Sequence, residues 1–256
     1  MTNDRRVLIH PDLASLTGSV AARFLTKLID VLDEEEVAHI VLTGGTVGGA
    51  TQRAIRDSSG RDTVDWSRVH FWWGDERFLP SGHADRNDLQ AREALLDSLD
   101  LPEGNIHAFP SSDQVPDLDE AARVYARELA DWTKDGAIAP RFDITFLGVG
   151  PDGHVASLFP DRDAYRSEKQ TVVAVRDAPK PPPERLSLTM PVINSSDRVW
   201  MVLAGPDKAS ALGLALAGAS VNEVPVAGVQ GRKRTVFFVD RDAARDVPEA
   251  LIASTY

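Results

Sequence analysis

The sequence predicts an α/β protein built on an open, mainly parallel, Rossmann-like sheet with helices on both faces. Three observations carry this prediction. Short β-branched apolar runs recur along the chain, most of them lack the alternation of a half-exposed strand, and longer segments of helical period stand between them. Strands buried on both faces read as continuous apolar runs, and a chain that alternates them with amphipathic helices forms a parallel sheet covered by helices.

Taken in order, strands are expected over 7–9 and 37–42. Between them Val20, Phe24, Leu25, Leu28 and Leu32 fall on one stripe of a helix. A third strand over 69–73 holds Phe71, Trp72 and Trp73, and Leu89, Leu95, Leu96 and Leu99 suggest a helix after Asp88. A helix over 118–132 follows, then strands over 142–147, 171–175, 185–189, 199–203 and 235–239, with a helix over 207–217 between the last two. Pro179, Pro181, Pro182 and Pro183 form a stiff, extended connection, since proline fixes φ and cannot donate to a ladder. Strands resume directly after it, so the reading is a loop within one domain over 1–256, leaving room for a smaller lobe around 155–200.

The 256 residues include 28 basic and 39 acidic side chains, a net charge of −11, and no cysteine. Such a chain has no overall attraction for nucleic acid or an anionic lipid surface. The lack of cysteine excludes disulfides, thiolate nucleophiles and cysteine-bound metals, and fits a reducing compartment. The N-terminal segment lacks the apolar run of about 7–15 residues of a signal peptide. The longest uncharged stretch, around 209–222, falls short of the ~18 apolar residues of a membrane span. A cytoplasmic protein without a nucleic-acid or membrane partner is expected.

In an open α/β sheet, ligands bind beyond the carboxyl ends of strands, so the residues after each apolar run matter most. After the second strand come Thr43, Gly44, Gly45 and Thr46, where glycines and a helix N-terminus can receive an anion or merely form a tight turn. No lysine follows at the P-loop position. After the tryptophan strand come Gly74, Asp75, Glu76 and Arg77, either an exposed turn or a cleft wall, and the segment 83–87 is a further candidate to face the cleft. Gly148, Gly150 and Gly153 match a dinucleotide fingerprint, with Arg176 and Asp177 downstream, but Pro151 removes a cradle N–H and Pro160 leaves space for about two helical turns at most. His154 follows that loop with Asp152 two residues before it, a setting for general acid–base chemistry that the other five histidines lack. Arg185 begins a strand beside the proline tract, and Lys208 falls in the first turn of a helix, where the dipole disfavours a cation unless an anion is bound.

Read together, these segments resemble the glucosamine-6-phosphate isomerase/6-phosphogluconolactonase family, on its lactonase side. The resemblance runs through LTGGT (42–46), GDERFLP (74–80), GVGPDGHVASLFP (148–160), PPPERLSLTMPVINSS (181–196) and AGPDKA (204–209). It departs in small ways: Arg86 precedes Asn87 where a serine is common, and Val47 to Gly49 vary the usual turn. The resemblance implies hydrolysis of 6-phospho-D-glucono-1,5-lactone to 6-phosphogluconate in the oxidative pentose phosphate pathway, without a metal or organic cofactor; a monomer is expected. It implies His154 as general base, Asp152 as its orienting partner and Arg77 as stabiliser of charge at C1. Asp75 would hold Arg77 or a sugar hydroxyl, and Gly44, Gly45, Thr46, Arg185 and Lys208 would bind the phosphate. An isomerase or deaminase on the same fold and a non-catalytic sugar-phosphate sensor stand as alternatives, as does, more remotely, a nicotinamide enzyme. Most of the excess carboxylate is expected away from the cleft, apart from Asp75, Glu76 and Asp152.

Overall fold

Residues 38–42 and 69–73 are buried at every position, so both faces of these strands must be covered. The computed structural model describes residues 4–133, 136–137, 139–162 and 170–247. Its elements are β1 (Asp4–His10), α1 (Leu13–Glu34), β2 (Ala38–Leu42), α2 (Gly45–Asp57), β3 (Val69–Trp73), β4 (Asp75–Arg77), α3 (Asn87–Ala94) and β5 (Ile106–His107). There follow α4 (Leu118–Asp131), β6 (Ile144–Gly148), β7 (Val172–Val175), β8 (Arg185–Leu188), α5 (Met190–Asn194), β9 (Arg198–Leu203), α6 (Ala209–Leu216) and β10 (Arg234–Asp240).

The main sheet has seven strands in the order β1-β10-β9-β6-β2-β3-β5, and every pairing in it is parallel. Alternation along the strands places Phe146 and Trp200 on one face, where Phe24 of α1 packs at 5.5 Å from Phe146, and Trp72 on the other, where Tyr125 of α4 packs against it. Helices therefore cover both faces, as the sequence predicts. From β2 the chain proceeds outward to β3 and β5, and from β6 it proceeds the other way to β9 and β10. The strand order thus reverses between β2 and β6, and a crevice opens at their carboxyl ends.

Strands 171–175 and 185–189 do not extend the parallel sheet. They form β7 and β8 of a separate antiparallel sheet, ordered β4-β8-β7, the small lobe for which the sequence left room. Gly74 is the corner between the two sheets: its N–H donates to Leu42 O (3.1 Å) and its carbonyl accepts from Leu188 N (2.8 Å). The helix after Asp88 is shorter than expected. It ends at Ala94, where Leu95 leaves the helical conformation (φ −147°, ψ −58°), and Leu95 and Leu96 are buried from the turn that follows. Among the described residues no helix follows directly on Gly153, where Val155 instead bridges Val149 and Leu158 in a tight turn.

On the α4 face, His39 and His70 lie side by side on β2 and β3, and His107 stacks on Trp72 at 3.8 Å. A carboxylate can only accept, so His107 donates from Nδ1 to Glu128 (2.7 Å) and its Nε2 accepts from His70 Nδ1 (2.9 Å). Trp132 covers all three rings from above, closest to His70 at 4.4 Å. No helix among the described residues is long and apolar enough to cross a membrane.

Candidate active site

The loops after β2 and β6 meet at the reversal point, where the Thr43 hydroxyl accepts from Gly148 N at 3.1 Å. They wall a cleft of about 650 Å³. Gly44, Gly45, Thr46, Asp75, Arg77, His154, Arg185 and Lys208 all line it. Asp152 stands behind His154, its Oδ1 2.5 Å from Nδ1.

Several glycines in these loops are explained by close packing. A Cβ at position 44 would lie 1.9 Å from Asn87 Oδ1, and one at 48 would lie 2.5 Å from the Thr43 carbonyl oxygen. Gly45 has φ +79°, the left-handed conformation that starts α2. With Gly44 as cap, no side chain satisfies the first N–H groups of α2, and no acidic residue occupies its first turn. Those orphan donors adjoin the cleft and suit an anion. Gly150 serves a different neighbour, since a Cβ there would fall 2.0 Å from His154 Nδ1 and 2.4 Å from Asp152 Oδ1. Gly153 is left-handed at φ +82° and abuts Val224. At its middle glycine, the match to a dinucleotide fingerprint thus makes room for an imidazole–carboxylate pair.

With Nδ1–H donating to Asp152, His154 keeps the Nε2 lone pair for a substrate proton. Partial burial pushes the Asp152 carboxyl up, but the His154 hydrogen bond and charge outweigh it and hold the group below the usual aspartate range. Arg77 donates to Asp85 O at 2.5 Å, and its Nε is buried without a partner. Asp75 and Arg77 form no ion pair, so Asp75 does not hold Arg77. Its Oδ2 accepts from the buried Ser157 hydroxyl at 2.7 Å. Arg185 is largely committed to the proline loop, donating from Nε to Pro182 O (3.1 Å) and from Nη2 to Lys180 O and Pro181 O (2.8 and 3.2 Å). Burial lowers its guanidinium pKa, with Asp75 opposing and Arg77 reinforcing. Lys208 caps α6 behind a short turn, 3.0 Å from Asp207.

Five polar side chains on the cleft lie outside the expected site residues: Thr43, Asn87, Lys180, Asp207 and Asp240. Asp240 closes β10 and lay within reach of the strand-end rule, and Asn87 lay in the segment expected to face the cleft. Lys180 carried no signal beyond its place in the proline tract. The acid distribution also differs from expectation. Glu76 turns into the core, fully buried, whereas Asp207 and Asp240 join Asp75 on the cleft.

Fold and site together define a parallel α/β protein with a cation-lined cleft at the sheet's reversal point and a histidine–aspartate pair on its wall. The chain belongs to the family of glucosamine-6-phosphate isomerases/6-phosphogluconolactonase, whose profile matches residues 11–238. It is 44% identical over 255 residues to a 6-phosphogluconolactonase of Streptomyces coelicolor, covering 98% of each chain. It is 42% identical over 242 residues to that of Mycobacterium tuberculosis, covering 94% of this chain and 97% of the relative. The crystal structure of 6-phosphogluconolactonase from Thermotoga maritima superposes with a TM-score of 0.82 at 26% identity, over 93% of this chain and 100% of that one. A monomeric glucosamine-6-phosphate deaminase shares the fold, with a TM-score of 0.78 at 19% identity over 94% of this chain and 99% of that one. The fold alone therefore does not separate the two activities.

Proposed function

We propose that this protein hydrolyses 6-phospho-D-glucono-1,5-lactone to 6-phosphogluconate, the lactone-opening step of the oxidative pentose phosphate pathway. The observation that carries the reading is the His154–Asp152 pair, with Nε2 free beside a cleft that also holds Arg77 and Lys208. Near-full-length relatives named 6-phosphogluconolactonase support it.

In the proposed mechanism His154 Nε2 takes a proton from water as the water oxygen bonds to C1. Negative charge passes to the former carbonyl oxygen, where Arg77 stabilises it; losing such a donor commonly costs ~2.7–4 kcal/mol. The C1–ring oxygen bond then breaks, and the imidazolium returns its proton to the leaving oxygen, which becomes the C5 hydroxyl. Asp152 keeps the imidazole in the required tautomer. Asp75, with one oxygen fixed by Ser157, accepts from a sugar hydroxyl. The N–H groups around Gly44, Gly45 and Thr46, together with Lys208 and Arg185, hold the phosphate and use its binding energy to place C1. The protein acts as a monomeric, single-domain unit in the cytoplasm, without a nucleic-acid partner.

The test generates the lactone enzymatically and follows 6-phosphogluconate against spontaneous hydrolysis. Wild type is expected to exceed that background by orders of magnitude. His154→Ala should fall toward the background while still binding 6-phosphogluconate. Ammonia release from glucosamine 6-phosphate at a comparable rate would overturn the reading in favour of a deaminase. Light scattering checks the monomer, expected at 27.8 kDa.

A further inference from the structure

β4 carries three consecutive charged residues, and strand alternation sends them to opposite sides. Asp75 and Arg77 line the cleft, whereas Glu76 between them is directed into the core and has no exposure. Its carboxylate is fully engaged there. Oε1 accepts from the backbone N–H of Arg77 and of Asn87, both at 2.7 Å, and Oε2 accepts from Asp88 N at 2.9 Å. Asn87 and Asp88 open α3, whose capping residue Arg86 supplies no side-chain capping bond to the helix N–H groups. Glu76 therefore caps, from a separate strand, a helix that lacks a cap. Asn87 reciprocates, its Nδ2 donating to Asp75 O at 2.8 Å.

We propose that Glu76 is a positioning residue for the reaction: its carboxylate clasps the first turn of α3 to β4 and thereby fixes Asp75 and Arg77 on the cleft wall. The kinetic part of this proposal rests on the lactonase reading above; the clasp itself does not.

The surroundings make the clasp sensitive to protons. Arg86 approaches Oε2 at 3.9 Å from the start of α3, Asp88 lies beside it, the buried Tyr125 phenol faces it from α4, and β8 presents apolar Leu186. Burial pushes the Glu76 carboxyl up to about 7, against the pull of Arg86 and of the Asn87 and Asp88 N–H groups. Protonation of either oxygen sets an O–H against an N–H donor and opens one bond of the clasp. Below neutral pH, protonation of Glu76 should thus add its own fall in activity.

The experiment measures kcat and KM for the lactone from about pH 5 to about pH 9, with spontaneous hydrolysis subtracted at each point, for wild type and Glu76→Gln. In parallel, carboxyl carbon NMR of the wild type follows Glu76, assigned through its sequential neighbours. The expected results for the variant are a kcat lower by about tenfold or more with KM within about twofold, and an acid limb that lacks the additional fall Glu76 protonation gives the wild type. In the wild type, the Glu76 carboxyl signal should titrate in step with the Arg77, Asn87 and Asp88 amide shifts. A folded variant with wild-type kcat and an unchanged limb overturns the proposal. So does a variant that is only less heat-stable, because a purely structural role moves Tm and leaves the pH profile alone. If Glu76→Gln does not fold, the wild-type titration decides: a Glu76 signal that stays constant through the acid limb overturns the clasp. If the wild type does not hydrolyse the lactone, the functional reading fails, and the amide shifts still test the clasp.

Discussion

Gly150 shows how a single absent side chain can set a reactive geometry. The hydrogen that replaces a methyl group there is the space in which Asp152 and His154 meet. Gly150→Ala is expected to keep the fold but displace the imidazole, lowering kcat by about 100-fold, since a displacement of about 1 Å can cost that much. Tm and kcat measured on the same preparation check this, and an alanine variant of normal kcat would refute it. The same residue explains what the sequence revealed and what it hid. His154 and Asp152 were legible because a histidine and an acid two residues apart follow a strand. The reason for the intervening glycines was not legible, because it lies in contacts with side chains rather than with a ligand. Asp75 was placed on the cleft correctly, yet its partner is Ser157, 82 positions away along the chain. Only the folded small sheet brings those two together.

At the scale of elements, the short continuous apolar runs announce β2, β3, β6, β9 and β10, whereas the sequence of β4 reads as a turn or cleft wall. Asp-Glu-Arg has no apolar pattern, and it becomes a strand only because β8 pairs with it. The two residues of β5 are too short to leave a signal. A second element-scale feature is the row of histidines that β2, β3 and β5 place beneath α4. Burial, reinforced by the neighbouring His107, lowers the His70 pKa from 6.5 to about 4. Between those values the unfolded chain holds more protons than the folded one. The stability contributed by neutral His70 is therefore complete above pH 6.5 and is lost as pH falls toward 4. His70→Asn keeps a donor toward His107 but does not titrate. Relative to this variant, the wild type should lose on the order of 2 kcal/mol between about pH 7 and about pH 4. Urea unfolding at both pH values measures it, and parallel losses in the two proteins would remove His70 as the cause.

For the molecule as a whole, the two sheets share one core. Val172, Val173, Val175, Leu186 and Leu188 of the small sheet belong to the same buried cluster as Phe71, Phe146 and Trp200 of the large one. Gly74 joins the sheets by backbone hydrogen bonds on both sides. Unfolding is accordingly expected in a single cooperative step, with far-ultraviolet and near-ultraviolet circular dichroism sharing one midpoint. Two separated transitions would show that the small sheet melts as a unit of its own. The net charge of −11 also takes on a more local meaning. Arg77, Arg185 and Lys208 gather at one crevice beside the bare start of α2, so a positive field can exist there against the overall sign.

The placement of the five tryptophans has a practical consequence. None of them lines the cleft, while Trp72 and Trp132 lie against the buried histidines. Intrinsic emission from this protein should therefore report the integrity and protonation of the histidine cluster and remain nearly silent when a sugar phosphate binds. An optical titration of the ligand needs a reporter placed deliberately at the rim, and the exposed Lys180 on its proline-stiffened loop is a suitable point of attachment.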